Sequence, residues 1–169
     1  MPVRARRIAV PWLTVASAAL TLAGCSSSNQ LDGSLTQLTS LSFTTVQVAL
    51  QVSPPLLVLT YKEPKGAGFD VPFTLSVEVT KPPIAQGTVF QLSGSDSSGN
   101  AVAVASRSVT GDTRVFPAIK MGTLTIDQAI SVGKQGAGHF FLVFDYQNDS
   151  SLGQGQTVEG SFQAVVNQS

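Results

Sequence analysis

The sequence predicts an all-β domain behind a processed N-terminal segment. Three observations carry that expectation. From Leu41 onward apolar and polar residues alternate with period two over most of the chain. Gly, Pro, Asp and Asn break the runs at intervals of about 10–15 residues. No amphipathic stretch above about ten residues has the 3.6-residue period that a crossover helix in a parallel sheet requires.

The first segment stands outside this pattern. Arg4, Arg6 and Arg7 make a basic start, and Ile8 to Ala23 follows without a charge. That run is shorter than the roughly 20 residues a membrane-spanning helix needs. It ends at Leu22-Ala23-Gly24-Cys25, followed by Ser26, Ser27 and Ser28. This order resembles the bacterial lipoprotein signal, whose lipobox places a Leu and small residues before a Cys. The resemblance covers residues 1–25 only. It implies cleavage between Gly24 and Cys25, lipid attachment (palmitate-type acylation) at Cys25, and a membrane partner for the mature protein. It also implies a cell-envelope location on the periplasmic or extracellular face. Ser26, rather than Asp, resembles the sorting signal for the outer membrane in cells that have one. A single acyl chain binds a bilayer only marginally, so a multiply acylated cysteine is what makes such an anchor stable.

Removing Met1–Gly24 takes three arginines and the sole Trp, leaving seven basic residues against ten acids and a net charge of −3. The intact chain carries ten of each sign. Neither balance supplies the clustered cations of a nucleic-acid site. One Cys excludes an intrachain disulfide framework, and no Cys/His spacing for structural zinc occurs. The expected cofactor set is empty.

Residues 25–40 are mostly small and polar and read as a tether. Leu31, Leu35, Leu38 and Leu41 offer a short helix as a competitor. Val46–Val52 alternates until Pro54-Pro55, and Leu56–Tyr61 is a short apolar run closed by a Gly-rich turn. Val71–Val79 alternates most cleanly, with Pro72 near its start. Thr88–Leu92 and Ala101–Val109 flank the turn Ser93–Asn100 as a hairpin. Leu124–Val132 is ambiguous between strand and a helical turn. Phe140, Leu142, Phe144 and Tyr146 share one face, with Phe141 and Val143 on the other, which predicts a central strand covered on both sides. Val158–Val166 is the final alternating run. Together these predict an antiparallel two-sheet sandwich of about seven to nine strands, immunoglobulin-like or jelly-roll-like, over residues 41–169.

Candidate chemistry is sparse. His139 is the only His, and no G-x-S-x-G elbow accompanies it. Ser131-Val132-Gly133-Lys134 matches S-x-x-K, but Gly133 and Gly136 place it in a turn. Asp96, Asn100, Asp145 and Asp149 supply hard oxygen ligands of the kind calcium prefers, without a complete loop motif. The expectation is a non-enzymatic domain that binds an envelope protein or acts structurally. Low surface charge makes strand addition at a sheet edge physically easy, with Gln47, Gln51, Gln156 and Gln163 on the strands near the two chain ends. A small-ligand or carbohydrate-binding domain is the alternative, discriminated by a pocket of convergent polar groups. A small hydrolase stands third, and a Ser or Asp within hydrogen-bond reach of His139 would favour it.

Overall fold

The computed structural model describes residues 29–146 and 152–169. Within them the chain forms ten strands, one 3-10 turn at Ser34–Gln37, and no α-helix. The strands are β1 (Gln30–Asp32), β2 (Thr45–Val52), β3 (Pro55–Lys65), β4 (Gly68–Glu78), β5 (Val89–Gln91), β6 (Ala103–Val109), β7 (Asp112–Val115), β8 (Ile119–Gln128), β9 (Gln135–Phe144) and β10 (Thr157–Gln168). Their hydrogen-bonded order is β5-β8-β9-β10-β2-β3-β4-β6-β7, with β1 beside β10.

The sheet is mixed. Every named strand pair is antiparallel except β10 with β2, which runs parallel from Val166↔Val48 to Gln168↔Leu50. The reason lies in the length of β10. Its pairing with β9 runs from Thr157↔Val143 to Val165↔Gln135, where β9 begins, and its remaining residues meet β2. The all-antiparallel expectation is therefore corrected at this one junction.

Packing follows the alternation. Phe73, Leu75 and Val77 of β4 and Phe140, Leu142 and Phe144 of β9 are all buried. The Phe73 and Phe140 rings stack with centroids 5.8 Å apart, and Phe116 stacks on Phe144 at 5.1 Å. Tyr61 is fully buried, its ring edge-on to Phe43, Phe73 and Phe140. Its hydroxyl donates to the Ser161 carbonyl at 3.0 Å, tying β3 to β10. Burial raises the Tyr61 phenol well above its ordinary range, so it stays a neutral donor. These contacts bring the β3–β4 part of the sheet over β9, though three strands separate β4 from β9 in the pairing order.

A second packing device joins β9 to β10. Gly138 pairs with Phe162, and Gly160 pairs with Phe140. A methyl group at Gly138 would meet the Phe162 ring at 2.8 Å, and one at Gly160 would meet the Phe140 ring at 2.6 Å. Each glycine is thus the seat for the opposite strand's phenylalanine, a reciprocal aromatic–glycine pairing.

The β6–β7 turn is held from another hairpin. Thr110 and Gly111 both have positive φ, 51° and 81°, as a two-residue type I′ turn requires. The Thr110 amide donates to Asp70 Oδ1 at 2.7 Å, and Lys65 Nζ pairs with Asp70 Oδ2 at 2.8 Å. The Lys65 contact, seconded by the Thr110 amide, lowers the Asp70 pKa. A carboxyl whose folded pKa is lowered contributes stability above its unfolded pKa of about 4, and loses it as pH falls through the folded value. The urea midpoint of the native protein is therefore expected to fall more steeply below about pH 4 than that of Asp70→Asn. Parallel curves for the two proteins would contradict this.

Several sequence expectations change. Residues 30–40 are not a tether: β1 pairs with β10 and Leu35 is fully buried, so the folded domain begins before residue 41. β5 and β6 do not form a hairpin; β5 pairs with β8, whereas β6 pairs with β4 and β7. Pro72 lies within β4, at a register irregularity facing both β3 and β6, where a missing amide disturbs no regular ladder. Phe141 is 42% exposed, so the outer face of β9 is uncovered around His139 and Phe141, and Tyr146, beyond the end of β9, is 70% exposed.

Candidate functional site

The uncovered face of β9 is the centre of the candidate site. Because Phe140, Leu142 and Phe144 point into the core, His139, Phe141 and Val143 point outward. Strand register aligns two outward rows. One reads Asp32, Glu159, Phe141 and Thr123 across β1, β10, β9 and β8; the next reads Gln30, Ser161, His139 and Thr125. All of these except Thr125 line a groove of about 630 Å³, with Leu31 and Phe43 also reaching it.

The groove gathers two carboxylates, hydroxyls, an imidazole and an aromatic ring. Asp32 stands directly opposite Glu159, and like charges in that position repel. Asp32 Oδ1 accepts the Gly33 amide at 2.7 Å. Phe141 sits beside Glu159 on the neighbouring strand.

His139 has a partner that sequence reading did not identify. Its Nδ1 lies 2.8 Å from Asp127 Oδ2. An ionised carboxylate only accepts, so Nδ1 carries the proton and Nε2 is the other ring nitrogen. The side chains are 59% and 42% exposed. Asp127 reaches His139 because it lies two residues beyond Thr125, the register partner of His139, and so shares the outward face of β8 with Thr123 and Thr125. The alternation of Leu124 and Ile126 with Thr123, Thr125 and Asp127 carries the face, but the pairing of β8 with β9 is tertiary.

The other candidate residues lie elsewhere. Asp96 Oδ1 accepts the amides of Ser98 and Asn100, each at 2.8 Å, and Oδ2 accepts the Asn100 side chain at 3.2 Å. These bonds, the Asn100 amide foremost, lower the Asp96 pKa and give the carboxylate a turn-forming role. Asp145 is on a different loop, after β9, and accepts the Tyr146 amide. Among the described residues no three His, Cys, Asp or Glu side chains converge as a metal site would require. Gly24, Cys25 and Asp149 lie outside the described residues. Ser131–Lys134 forms a turn, closed by the Lys134 amide on the Ser131 carbonyl, with Gly133 at φ 77°.

The proposed edge strands are also corrected. Gln47 and Gln51 lie on β2, and Gln163 on β10, both of which have partners on two sides. The strands with a partner on one side only are instead β1, β5 and β7. Gln156 precedes β10, and its carbonyl accepts the Phe144 amide.

Comparison of the chain with family models, curated proteins and solved structures gives no match.

Proposed function

We propose that this chain is a membrane-anchored envelope lipoprotein whose domain is a non-enzymatic ligand-binding module. In this reading Cys25 carries the lipid, and the groove around Phe141 binds a small ligand, with a carbohydrate as the class that fits best. The domain itself is read as a two-layer sandwich, β1-β10-β9-β8-β5 on β2-β3-β4-β6-β7, with the stacked aromatic rings between the layers.

One observation carries the binding assignment: an exposed aromatic ring stands in a groove among carboxylates, hydroxyls and an imidazole. Sugar rings offer C–H faces to an aromatic and hydroxyl donors to carboxylates, so both halves of the groove are used. Strand addition by a protein partner would have to use β1, β5 or β7, because β2 and β10 are interior strands. An array of envelope-type oligosaccharides, probed with the purified protein, tests the assignment. Binding is expected to weaken about tenfold or more in Phe141→Ala, equivalent to about 1.4 kcal/mol. The ring is partly exposed, so folding should be little affected. No binding by the native protein, or equal binding by Phe141→Ala, would contradict it.

A hydrolase is the second reading, favoured by the Asp127–His139 contact and by Ser161 opposite His139 in the β9–β10 register. The dyad's exposure weighs against it, since water screens the charges that catalysis must strengthen. A fluorophosphonate reagent distinguishes the two. The binding reading expects Ser161 to stay unlabelled; stoichiometric labelling lost in His139→Ala would establish the hydrolase.

A further inference from the structure

The Phe141 groove does not stop at β1. Its outward row crosses four strands, from Thr123 on β8 to Asp32 on β1, about 14 Å at the usual strand spacing. Leu31 and Phe43 line this groove and also a second cavity of about 650 Å³. The rest of the second lining is Thr36, Ser40, Leu41 and Ser42. β1 is an edge strand, so among the described residues no further strand separates the two. Cavities that share the Leu31 and Phe43 wall form one cleft, which turns over the edge of β1.

The second cavity stands on a pinned segment. The Ser34 amide donates to Thr157 Oγ1 at 3.1 Å, and the Thr157 amide donates to Ser34 Oγ at 2.9 Å. Leu35 and Leu41 are buried in the core, and between them the Arg107 guanidinium donates to Thr39 Oγ1 at 2.6 Å. The Phe43 ring stands edge-on to the buried Tyr61 ring, centroids 4.9 Å apart. The Thr44 amide then donates to the Lys62 carbonyl at 2.8 Å. A wall held along its whole length needs no ordering when a ligand enters, which removes one of the main costs of binding.

The lining repeats the chemistry found around Phe141. Phe43 is a second, partly buried ring, and the Thr36, Ser40 and Ser42 hydroxyls stand on exposed residues beside it. Ser40 Oγ accepts the Ser42 amide at 3.2 Å, which leaves its O–H able to donate. Among the described residues no Lys or Arg lines either cavity, whereas Asp32 and Glu159 face the first. Carboxylates without a neighbouring cation repel phosphates and uronates, so the charge of the cleft selects against acidic sugars.

We infer that the ligand of this cleft is an uncharged, linear oligosaccharide lying across the edge of β1. One sugar packs on Phe141, and sugars further along the chain reach Phe43 and the Ser40 and Ser42 hydroxyls. The inference rests on the reading of the Phe141 groove as a carbohydrate site and adds a second subsite to it. A single ring fills only one cavity, so affinity grows with chain length until both are occupied.

Isothermal titration calorimetry tests this with disaccharides and hexasaccharides of N-acetylglucosamine, of β-linked and α-linked glucose, and of galacturonate. A neutral series is expected to gain about tenfold or more in affinity from the disaccharide to the hexasaccharide, and the galacturonates to show no binding. Longer chains also gain by binding in more registers, so Ser42→Arg locates the effect. Ser42 is exposed and lines the second cavity but not the first, and a long charged side chain there blocks that cavity. In Ser42→Arg the hexasaccharide is expected to bind within about twofold of the disaccharide. Equal affinity for both lengths, or a full gain retained in Ser42→Arg, overturns the second subsite and leaves the Phe141 site standing. Galacturonate binding as tight as that of the neutral chains overturns the charge selection and with it the inference. No binding of any series overturns the carbohydrate reading and this inference together.

Discussion

Replacing Phe73 with alanine is expected to remove about 3–5 kcal/mol of stability, a large share of what a domain of this size holds. Phe73 is fully buried and its ring contacts those of Tyr61, Phe116 and Phe140. Truncation therefore opens a void bounded by three other rings, which rigid strands cannot close. Phe73→Leu retains part of the volume and should lose less. Urea denaturation measures both. A loss below about 1 kcal/mol for Phe73→Ala would mean that β4 and β9 do not pack through this ring.

Adding one methyl group at Gly138 is expected to do comparable damage. Its Cβ would stand 2.5 Å from the Thr125 carbonyl oxygen and 2.8 Å from the Phe162 ring. The carbonyl belongs to the neighbouring strand and cannot rotate away, so the backbone must shift, at about 3 kcal/mol or more. Gly68→Ala is the control. Its Cβ would find only the Lys65 carbonyl oxygen, at 3.9 Å, and should change stability by about 0.5 kcal/mol or less. Equal effects of the two substitutions in urea denaturation would remove the reciprocal Gly–Phe pairing from the account.

Much of the fold was legible because burial and alternation coincide. Val71, Phe73, Leu75, Val77 and Val79 displayed β4 directly, and Phe140, Leu142 and Phe144 gave the inner face of β9. What escaped reading was tertiary. Nothing local in Gln30–Asp32 marks a strand, since β1 exists only through its pairing with β10. The Gly-rich stretch before His139 read as a turn, yet Gln135–Gly138 is strand, because Gly138 seats a ring from the opposite strand. The motif was present twice, as Gly138-His139-Phe140 and Gly160-Ser161-Phe162, and an antiparallel pairing of two such triplets is its physical meaning.

The candidate site was less legible, for one reason. Apolar residues on both faces of β9 read as double burial, which hid Phe141 as an exposed ring. Alternation cannot separate an apolar residue covered by protein from one left for a ligand. His139 was singled out, but its contact with Asp127 depends on the pairing of β8 with β9, which sets Thr125 opposite His139 and Asp127 diagonal to it, a tertiary fact. The turn role of Asp96 and Asn100, in contrast, followed from ordinary Asx chemistry.

Intact-mass analysis of the protein extracted from its own membranes tests the central claim most directly. The account predicts a chain beginning at Cys25, lacking Met1–Gly24, with the mass of a diacylglyceryl group on its thiol and an acyl group on its amino terminus. A chain that retains Arg4, Arg6 and Arg7, or one that begins at Cys25 with a bare thiol, would contradict it.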